Sequence, residues 1–134
     1  MTRGPADQSF APRSQRAVRR VMIIEDEPLV ALELELIVSE LGHRVIAVVD
    51  TESAAVAAAS REVPDLIVAD VQLRVGNGVS AAERITHGHP IPVIIVSGNV
   101  DPTRASSLEN VRVLSKPFRV EALRDAIRDA LAGR

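Results

Sequence analysis

A few charged and polar side chains in this sequence have the types and spacing needed to bind a cation and a phosphoryl group. Three consecutive acids occupy residues 25–27, and Asp70, Ser97 and Lys116 occur later; Lys116 is the single lysine among sixteen basic residues. Carboxylates are the ligands that Mg²⁺ prefers, and a carboxylate can also attack phosphorus. Lysine carries a compact charge on a flexible stem, which suits contact with a single anionic oxygen. The set therefore predicts magnesium-assisted phosphoryl transfer, provided that the fold brings its members together.

Five short apolar runs alternate with helical patterns from Val21 onward. Most of the runs are continuous and β-branched, which is typical of parallel strands buried on both faces. The alternation predicts an α/β fold with a doubly wound, five-stranded parallel sheet. The predicted strands are Val21–Ile24, Val45–Val49, Leu66–Ala69, Val93–Val96 and Val111–Leu114. The predicted helices are Pro28–Leu41, Glu52–Arg61, Val79–Thr86, a weak Pro102–Leu108 and Val120–Ala132.

The predicted strands explain why the candidate residues should meet. In such a sheet, ligands bind at the carboxyl ends of the strands. The acids at 25–27 follow the first run, and Asp70, Ser97 and Lys116 follow the third, fourth and fifth runs. Each pair of carboxylates about 5 Å apart costs on the order of 3 kcal/mol at an effective dielectric near 20, a strain that a divalent cation would relieve. One oxygen of a phosphoryl group would then bind the cation, a second would contact the Lys116 ammonium, and a third would accept a hydrogen bond from the Ser97 hydroxyl.

Composition and charge predict one soluble, cytoplasmic domain with a basic tail. The chain has 134 residues and no cysteine, which excludes a disulfide framework and a thiolate metal site. No apolar run approaches the roughly 20 residues that span a membrane. Residues 1–20 carry a net charge of +4, and we interpret them as a disordered tail before a folded domain at 21–134. A nucleic-acid or membrane-surface arm is the alternative, but five arginines with the single aromatic residue Phe10 among them are thin evidence for such an arm.

The predicted first helix carries two rows of apolar residues. One row belongs to the core: Val30, Leu34, Ile37, Val38 and Leu41. The second row consists of Leu29, Leu32 and Leu36. Either the helix is wedged deeply between its neighbours, or the second row is a docking face for a partner, because exposed apolar patches usually bind something. We favour docking.

Two other motifs favour structural roles. Gly76–Gly78 resembles a phosphate-binding loop only superficially; the segment favours a turn into a helix that Asn77 or Ser80 caps. His87 and His89 occur in a connection that contains glycine and proline, which is weak support for a metal site.

Four segments in chain order resemble the receiver domains of bacterial two-component response regulators: IIEDE at 23–27, VADVQL at 68–73, VIIVSGN at 93–99 and VLSKPF at 113–118. The resemblance covers about residues 20–132. It implies a flavodoxin-like (βα)5 fold with strand order 2-1-3-4-5. The ADVQL stretch is similar to receivers of stress-response regulators of the anti-sigma-antagonist type.

The resemblance also implies roles for individual residues. Asp70 is the expected phosphoacceptor, and the expected Mg²⁺ ligands are Glu25, Asp26, Asp70 and the backbone carbonyl of Gln72. Gln72 is also expected to flank the phosphoryl group with its side chain. The other interpretation of that side chain is an ordinary exposed polar residue.

Three further positions complete the expected site. Ser97 is the expected switch hydroxyl, and Lys116 is the expected partner of the phosphoryl group, with a cis bond to Pro117. Asn99 is expected to modulate hydrolysis together with Gln72, or to be an ordinary polar residue.

The function implied is that of a stand-alone receiver. It would accept a phosphoryl group from a sensor histidine kinase or a histidine phosphotransferase, switch binding to a downstream protein through its Ser97/Lys116 face, and dephosphorylate itself. It would be no enzyme beyond that chemistry, with no direct nucleic-acid partner and no membrane insertion; a homodimer is left open. The alternatives are a phosphate sink, a pseudo-receiver docking module, and a Mg²⁺-dependent phosphatase with an Asp nucleophile. A phosphatase would need an acid two residues after Asp70, where Gln72 stands.

The sequence departs from the family pattern in two places that concern signalling. Gln72–Gly76 replaces the common Met-Pro-Gly loop, and Val113 stands where many members have Tyr or Phe. Valine has few χ1 choices and cannot swing inward as an aromatic ring does. We therefore expect the phosphorylation signal to pass through the backbone of residues 98–110.

Overall fold

The computed structural model describes residues 17–98 and 108–132. Five strands form one parallel sheet in which the strands, counted along the chain, lie in the order 2-1-3-4-5; this confirms the predicted fold and strand order. Of the weak predicted helix at 102–108, residues 102–107 lie outside the described residues. The strands are β1 Arg20–Ile24, β2 Arg44–Val49, β3 Leu66–Ala69, β4 Val93–Ser97 and β5 Val111–Ser115. The helices are α1 Pro28–Glu40, α2 Glu52–Arg61, α3 Gly78–Thr86 and α4 Val120–Ala132.

Helices cover both faces of the sheet because strand side chains alternate between the faces. On β1, Met22 and Ile24 pack towards α2 and α3, whereas Val21 and Ile23 pack towards α1 and α4. The three central strands are buried on both faces, as their continuous apolar runs predict. The same prediction was wrong for β2 and β5, which are only partly buried. Each lies at an edge of the sheet, where only one neighbouring strand covers it.

The first strand begins at Arg20, and two backbone contacts hold the chain where it enters this strand. The Arg19 backbone N–H donates to His43 Nδ1 at 3.1 Å, and the Arg20 N–H donates to Asp65 Oδ2 at 2.7 Å. These contacts attach the chain to the bottom of β2 and β3. Residues 1–16 of the predicted tail lie outside the described residues, and the disorder of the tail stays a prediction.

Helix α1 buries one of its two apolar rows. Leu34, in the first row, packs in the core with α4. Leu29, Leu32 and Leu36 point outward and are 81%, 51% and 57% exposed, so a helix wedged between its neighbours is the wrong interpretation. Within residues 17–98 and 108–132, no helix has the length and apolar character needed to cross a membrane.

Candidate functional site

The carboxyl ends of β1 and β3 place two acids side by side. These strands are neighbours in the sheet, and their backbone hydrogen bonding continues just beyond the strand ends. The Asp70 N–H donates to the Ile24 carbonyl and the Glu25 N–H to the Val49 carbonyl, both at 2.9 Å. Because the backbone is paired up to these positions, the two side chains occupy a fixed place at the upper edge of the sheet.

Three carboxylates form the cluster that the sequence predicts. One oxygen each from Glu25, Asp26 and Asp70 lies within 4.8 Å of the others. Glu25 and Asp70 are buried, at 3% and 7% exposure, while Asp26 is half-buried. A compact set of carboxylate oxygens is the donor set that Mg²⁺ binds, with water and substrate oxygens completing its octahedron. The chemistry of these residues therefore fits a hard divalent cation.

Lys116 supplies the positive charge beside this cluster. Its Nζ lies 3.1 Å from Glu25 Oε1, 3.1 Å from Asp70 Oδ2 and 3.4 Å from Glu27 Oε1. Its backbone N–H donates to the Ser97 carbonyl at 2.9 Å, which fixes the start of the β5–α4 loop. The lone lysine thus spans from β5 to the ends of β1 and β3, and it offsets the repulsion between two buried carboxylates.

Burial and hydrogen bonding change the acidity of both partners in this contact. Burial raises the pKa of Glu25, although the Glu27 N–H and the Lys116 ammonium act in the opposite direction. Burial also disfavours the charge of Lys116, but the hydrogen bonds with Asp70 and Glu25 outweigh it and raise the pKa of Lys116. The ammonium is consequently charged at neutral pH and available to an anionic oxygen.

The other predicted site residues differ in burial, and one of them, Asn99, is not described by the structure. Ser97 ends β4 as a buried residue and pairs in register with Ser115 of β5. The Gln72 N–H donates to Asp70 Oδ1 at 3.3 Å, and Gln72 as a whole is exposed. Asn99 lies outside the described residues, as do nine of the thirteen positions in the segment 98–110 expected to carry the signal. The Lys116–Pro117 bond is cis, as the resemblance implies.

The loop from β3 to α3 contains contacts that the sequence did not predict. The Arg74 N–H donates to Asp26 Oδ2 at 2.6 Å, and Glu52 of α2 accepts hydrogen bonds from this loop and from α3. Asn77 caps α3 by accepting from two backbone N–H groups, as predicted, while the Ser80 hydroxyl binds Glu52 instead. An acid at the start of a helix looks like an ordinary helix-terminus residue in sequence, so nothing pointed to Glu52.

Comparison with known proteins identifies the family to which this chain belongs. The family model named Response regulator receiver domain matches residues 21–128. The chain is 38% identical over 116 residues to the phyllosphere-induced regulator PhyR of Methylorubrum extorquens, which covers 83% of this chain and 43% of that protein. The chain thus spans less than half the length of that relative.

Solved structures give the same picture. The solution structure of the PhyR receiver domain of Erythrobacter litoralis superposes with a TM-score of 0.75 at 32% identity, covering 87% of this chain and 92% of that chain. The anti-anti-sigma factor PhyR of Bartonella quintana superposes with a TM-score of 0.73 at 32% identity, covering 97% of this chain and 53% of that chain. The family match over most of the chain, together with the sheet order, leads to one conclusion: this chain belongs to the response regulator receiver domain family.

Proposed function

We propose that this receiver accepts a phosphoryl group on Asp70 from a phosphohistidine of a sensor kinase or histidine phosphotransferase, in the cytoplasm where such kinases use ATP. One observation supports the proposal above the rest. The Asp70 carboxylate lies in a cluster of three acids. One of its oxygens accepts a hydrogen bond from the Lys116 ammonium, and the other accepts one from the Gln72 backbone N–H. A nucleophilic carboxylate, a cation site and a positive point charge are thereby assembled around one position.

The chemistry follows from these contacts. An Asp70 oxygen attacks the phosphorus, a P–O bond forms, and the P–N bond to the donor histidine breaks. The departing imidazole nitrogen takes up a proton and becomes neutral histidine. Lys116 exchanges its contact with Asp70 for one with a phosphoryl oxygen, and the Ser97 hydroxyl donates to another. A cation bound by Glu25, Asp26, Asp70 and the Gln72 carbonyl would neutralise the negative charge that accumulates there.

Hydrolysis reverses the phosphorylation and ends the signal. Water attacks the phosphorus, the acyl P–O bond breaks, and inorganic phosphate leaves as the Asp70 carboxylate is restored. We assign Gln72 and Asn99 the modulation of this step, because both follow strand ends at the same edge of the sheet. The protein would catalyse its own phosphorylation and dephosphorylation only. A phosphatase acting on other substrates is disfavoured because Gln72 stands where the general acid–base would be.

The outward row of α1 supports a docking site for the phosphodonor. Leu29, Leu32 and Leu36 line a groove with Val120 of α4, and the acid Glu33 lines it as well. A partner helix with apolar and basic side chains would suit such a groove. Because the Bartonella relative is described as an anti-anti-sigma factor, we further propose that the phosphorylated receiver acts on a protein of sigma-factor control.

The test is phosphorylation by a small phosphodonor in the presence of Mg²⁺. We expect one acyl phosphate on Asp70 that is labile in acid and in alkali and is cleaved by hydroxylamine, identified by mass spectrometry of the intact chain and its peptides. Asp70→Asn should abolish it, because an amide is a poor nucleophile. A label on Asp26 or Ser97 would contradict the assignment. A wild-type chain that neither binds Mg²⁺ nor takes up phosphate would favour the pseudo-receiver, whereas a phosphorylated chain whose partner binding never changes would favour the phosphate sink.

A further inference from the structure

The Glu52 carboxylate of α2 is held by three donors that belong to the next helix and the turn before it. Its Oε1 accepts the Asn77 backbone N–H at 3.1 Å. Its Oε2 accepts the Ser80 hydroxyl at 2.7 Å and the Arg84 guanidinium at 3.2 Å. The hydrogen bond from Ser80, with further help from Asn77 and Arg84, lowers the pKa of Glu52. The carboxylate is therefore ionised at neutral pH and fully engaged.

The backbone of the loop is closed around the same side chain. The Glu52 N–H donates to the Val75 carbonyl at 3.2 Å, and Thr51 forms a parallel bridge with Val75. Gly76 has a φ of +93°, and a Cβ at this position would lie 2.5 Å from the Cβ of Glu52. Only glycine allows the loop this conformation and this approach. The turn is thus shaped to fit Glu52.

The loop connects Glu52 directly to the phosphoacceptor. Asn77, which donates to Glu52, forms an antiparallel bridge with Gln72. Gln72 in turn donates its N–H to Asp70 Oδ1 at 3.3 Å. A continuous series of contacts, made by the backbone of Asn77 and Gln72, therefore leads from the Glu52 carboxylate to Oδ1 of Asp70.

We propose that Glu52 is a positioning residue for the phosphoacceptor site. By fixing Asn77, it fixes the Gln72 backbone beside Asp70, and so holds the site in the geometry that binds a cation and a phosphoryl group. The inference rests on the proposed function, since it concerns how that site is held. Groups that orient metal ligands from outside typically change metal affinity by about 10- to 100-fold when they are removed.

Two simpler roles for Glu52 make a different prediction. An acid in the first turn of a helix is stabilised by the helix dipole. The same carboxylate could also serve only to hold α2 against α3. Either role predicts that removing Glu52 lowers stability while the folded protein keeps its Mg²⁺ affinity.

The experiment compares Glu52→Ala and Glu52→Gln with wild type and with Glu62→Ala in the full chain. Glu62 follows the other end of α2 and pairs with Arg44 at 2.7 Å, so it is a matched ion-paired control without contact to the loop. The readouts are the Mg²⁺ Kd from calorimetry, the phosphorylation rate at limiting and saturating Mg²⁺, and circular dichroism to verify folding. We expect Glu52→Ala to raise the Mg²⁺ Kd about tenfold and to slow phosphorylation most at limiting Mg²⁺.

The conservative variant Glu52→Gln should have an intermediate effect on the Mg²⁺ Kd. Gln retains one acceptor oxygen for the Asn77 N–H, so the Mg²⁺ Kd of Glu52→Gln should fall between those of wild type and Glu52→Ala. Glu62→Ala should match wild type.

Other results would overturn the proposal. A folded Glu52→Ala protein with the wild-type Mg²⁺ Kd would do so, and so would an equal loss of affinity in Glu62→Ala. If Glu52→Ala does not fold, Glu52→Gln and Ser80→Ala decide, and wild-type affinity in both would contradict the positioning role. Failure of the positioning role can be told apart from failure of the proposed function. If the proposed function is wrong, wild type itself will bind no Mg²⁺ and accept no phosphoryl group.

Discussion

Lys116 lies between two buried carboxylates, and this arrangement ties the stability of the fold to the protonation of the site. The Glu25 side chain has no exposed surface, and its cationic partner Lys116 is 3.1 Å away. Removing one member of a buried ion pair leaves an uncompensated charge, which is more costly than the pair itself was favourable. Glu27 also contacts Lys116, but its side chain is 65% exposed, and water can replace that contact.

We predict that Lys116→Met lowers the free energy of unfolding by on the order of 3 kcal/mol at pH 7. The loss should shrink as the pH falls towards 5. Burial already raises the pKa of Glu25, and removal of the Lys116 ammonium should raise this pKa further. The Glu25 carboxylate of the folded protein therefore binds a proton at a higher pH than it does in the unfolded chain. Stability is then present at low pH and is lost as the pH rises through the folded-state pKa. Urea unfolding across this range measures the effect; an equal loss at both pH values would contradict it.

Two further variants separate charge from shape at this position. Glu27→Gln is the control and should leave stability unchanged, since its carboxylate is exposed. Lys116→Arg keeps the charge, but its planar fork is broader than an ammonium. It should recover stability and still impair phosphorylation-dependent switching nearly as much as Lys116→Met. Wild-type switching in the arginine variant would contradict the point-charge explanation.

At the scale of elements, a histidine fastens the chain entering β1 to the turn between α1 and β2. His43 Nδ1 accepts the Arg19 backbone N–H at 3.1 Å, which requires the neutral ring. Burial, and then the charge of Arg19, lower the pKa of His43, while Asp65 acts weakly in the opposite direction. Protonation would occupy the acceptor atom and break this contact between elements.

We predict that stability decreases as the pH falls below about 6.5, the ordinary pKa of histidine. The unfolded chain takes up a proton on His43 at a higher pH than the folded chain does, so acid favours unfolding. The decrease begins at the unfolded-state pKa and continues until the lower folded-state pKa is passed. His43→Gln should be less sensitive to pH between 7.5 and 5.5 in chemical denaturation. His87 and His89 are exposed and are present in both wild type and His43→Gln, so a difference between the two proteins reports on His43. An unchanged pH profile in His43→Gln would contradict the assignment to His43.

At the scale of the whole molecule, the outward face of α1 is a surface that the described residues, 17–98 and 108–132, leave exposed. The groove beside it is lined by Leu29, Leu32 and Leu36 of α1 together with Val120 of α4. Arg124 of α4 also lines the groove and forms an ion pair with Glu40 of α1 at 2.7 Å. This face lies on the same helix that begins just after the acidic cluster, so a protein docked here would bring its phosphohistidine near Asp70.

We predict that Leu32→Ser with Leu36→Ser slows phosphoryl transfer from a phosphorylated histidine domain by on the order of tenfold or more, because each leucine contributes buried apolar area to docking. Transfer from a small phosphodonor should be unchanged, since the small molecule needs no docking surface. Val48→Ser, at another exposed apolar position on edge strand β2, is the control. Equal slowing with both donors would mean that the substitutions disturb the site rather than docking.

The sequence by itself determined the sheet and the convergence of the acids with lysine. Continuous β-branched runs predict buried parallel strands, and parallel strands bring their carboxyl ends to one edge. The contact of Lys116 with Asp70, 46 residues away in the chain, was predictable on this basis. Pattern along the chain was sufficient here because each apolar run identifies a strand, and the helices that alternate with these strands favour crossover connections, which make them parallel.

Only the tertiary structure decided which surfaces are covered and which partners distant side chains choose. The partial burial of β2 and β5, the outward row of α1, and the contacts of Glu52 and His43 all depend on neighbours from other parts of the chain. An acid at a helix start has the same local pattern whether it faces water or a turn 25 residues further on. Its role is settled when the packing of the sheet and helices brings that turn within hydrogen-bonding distance.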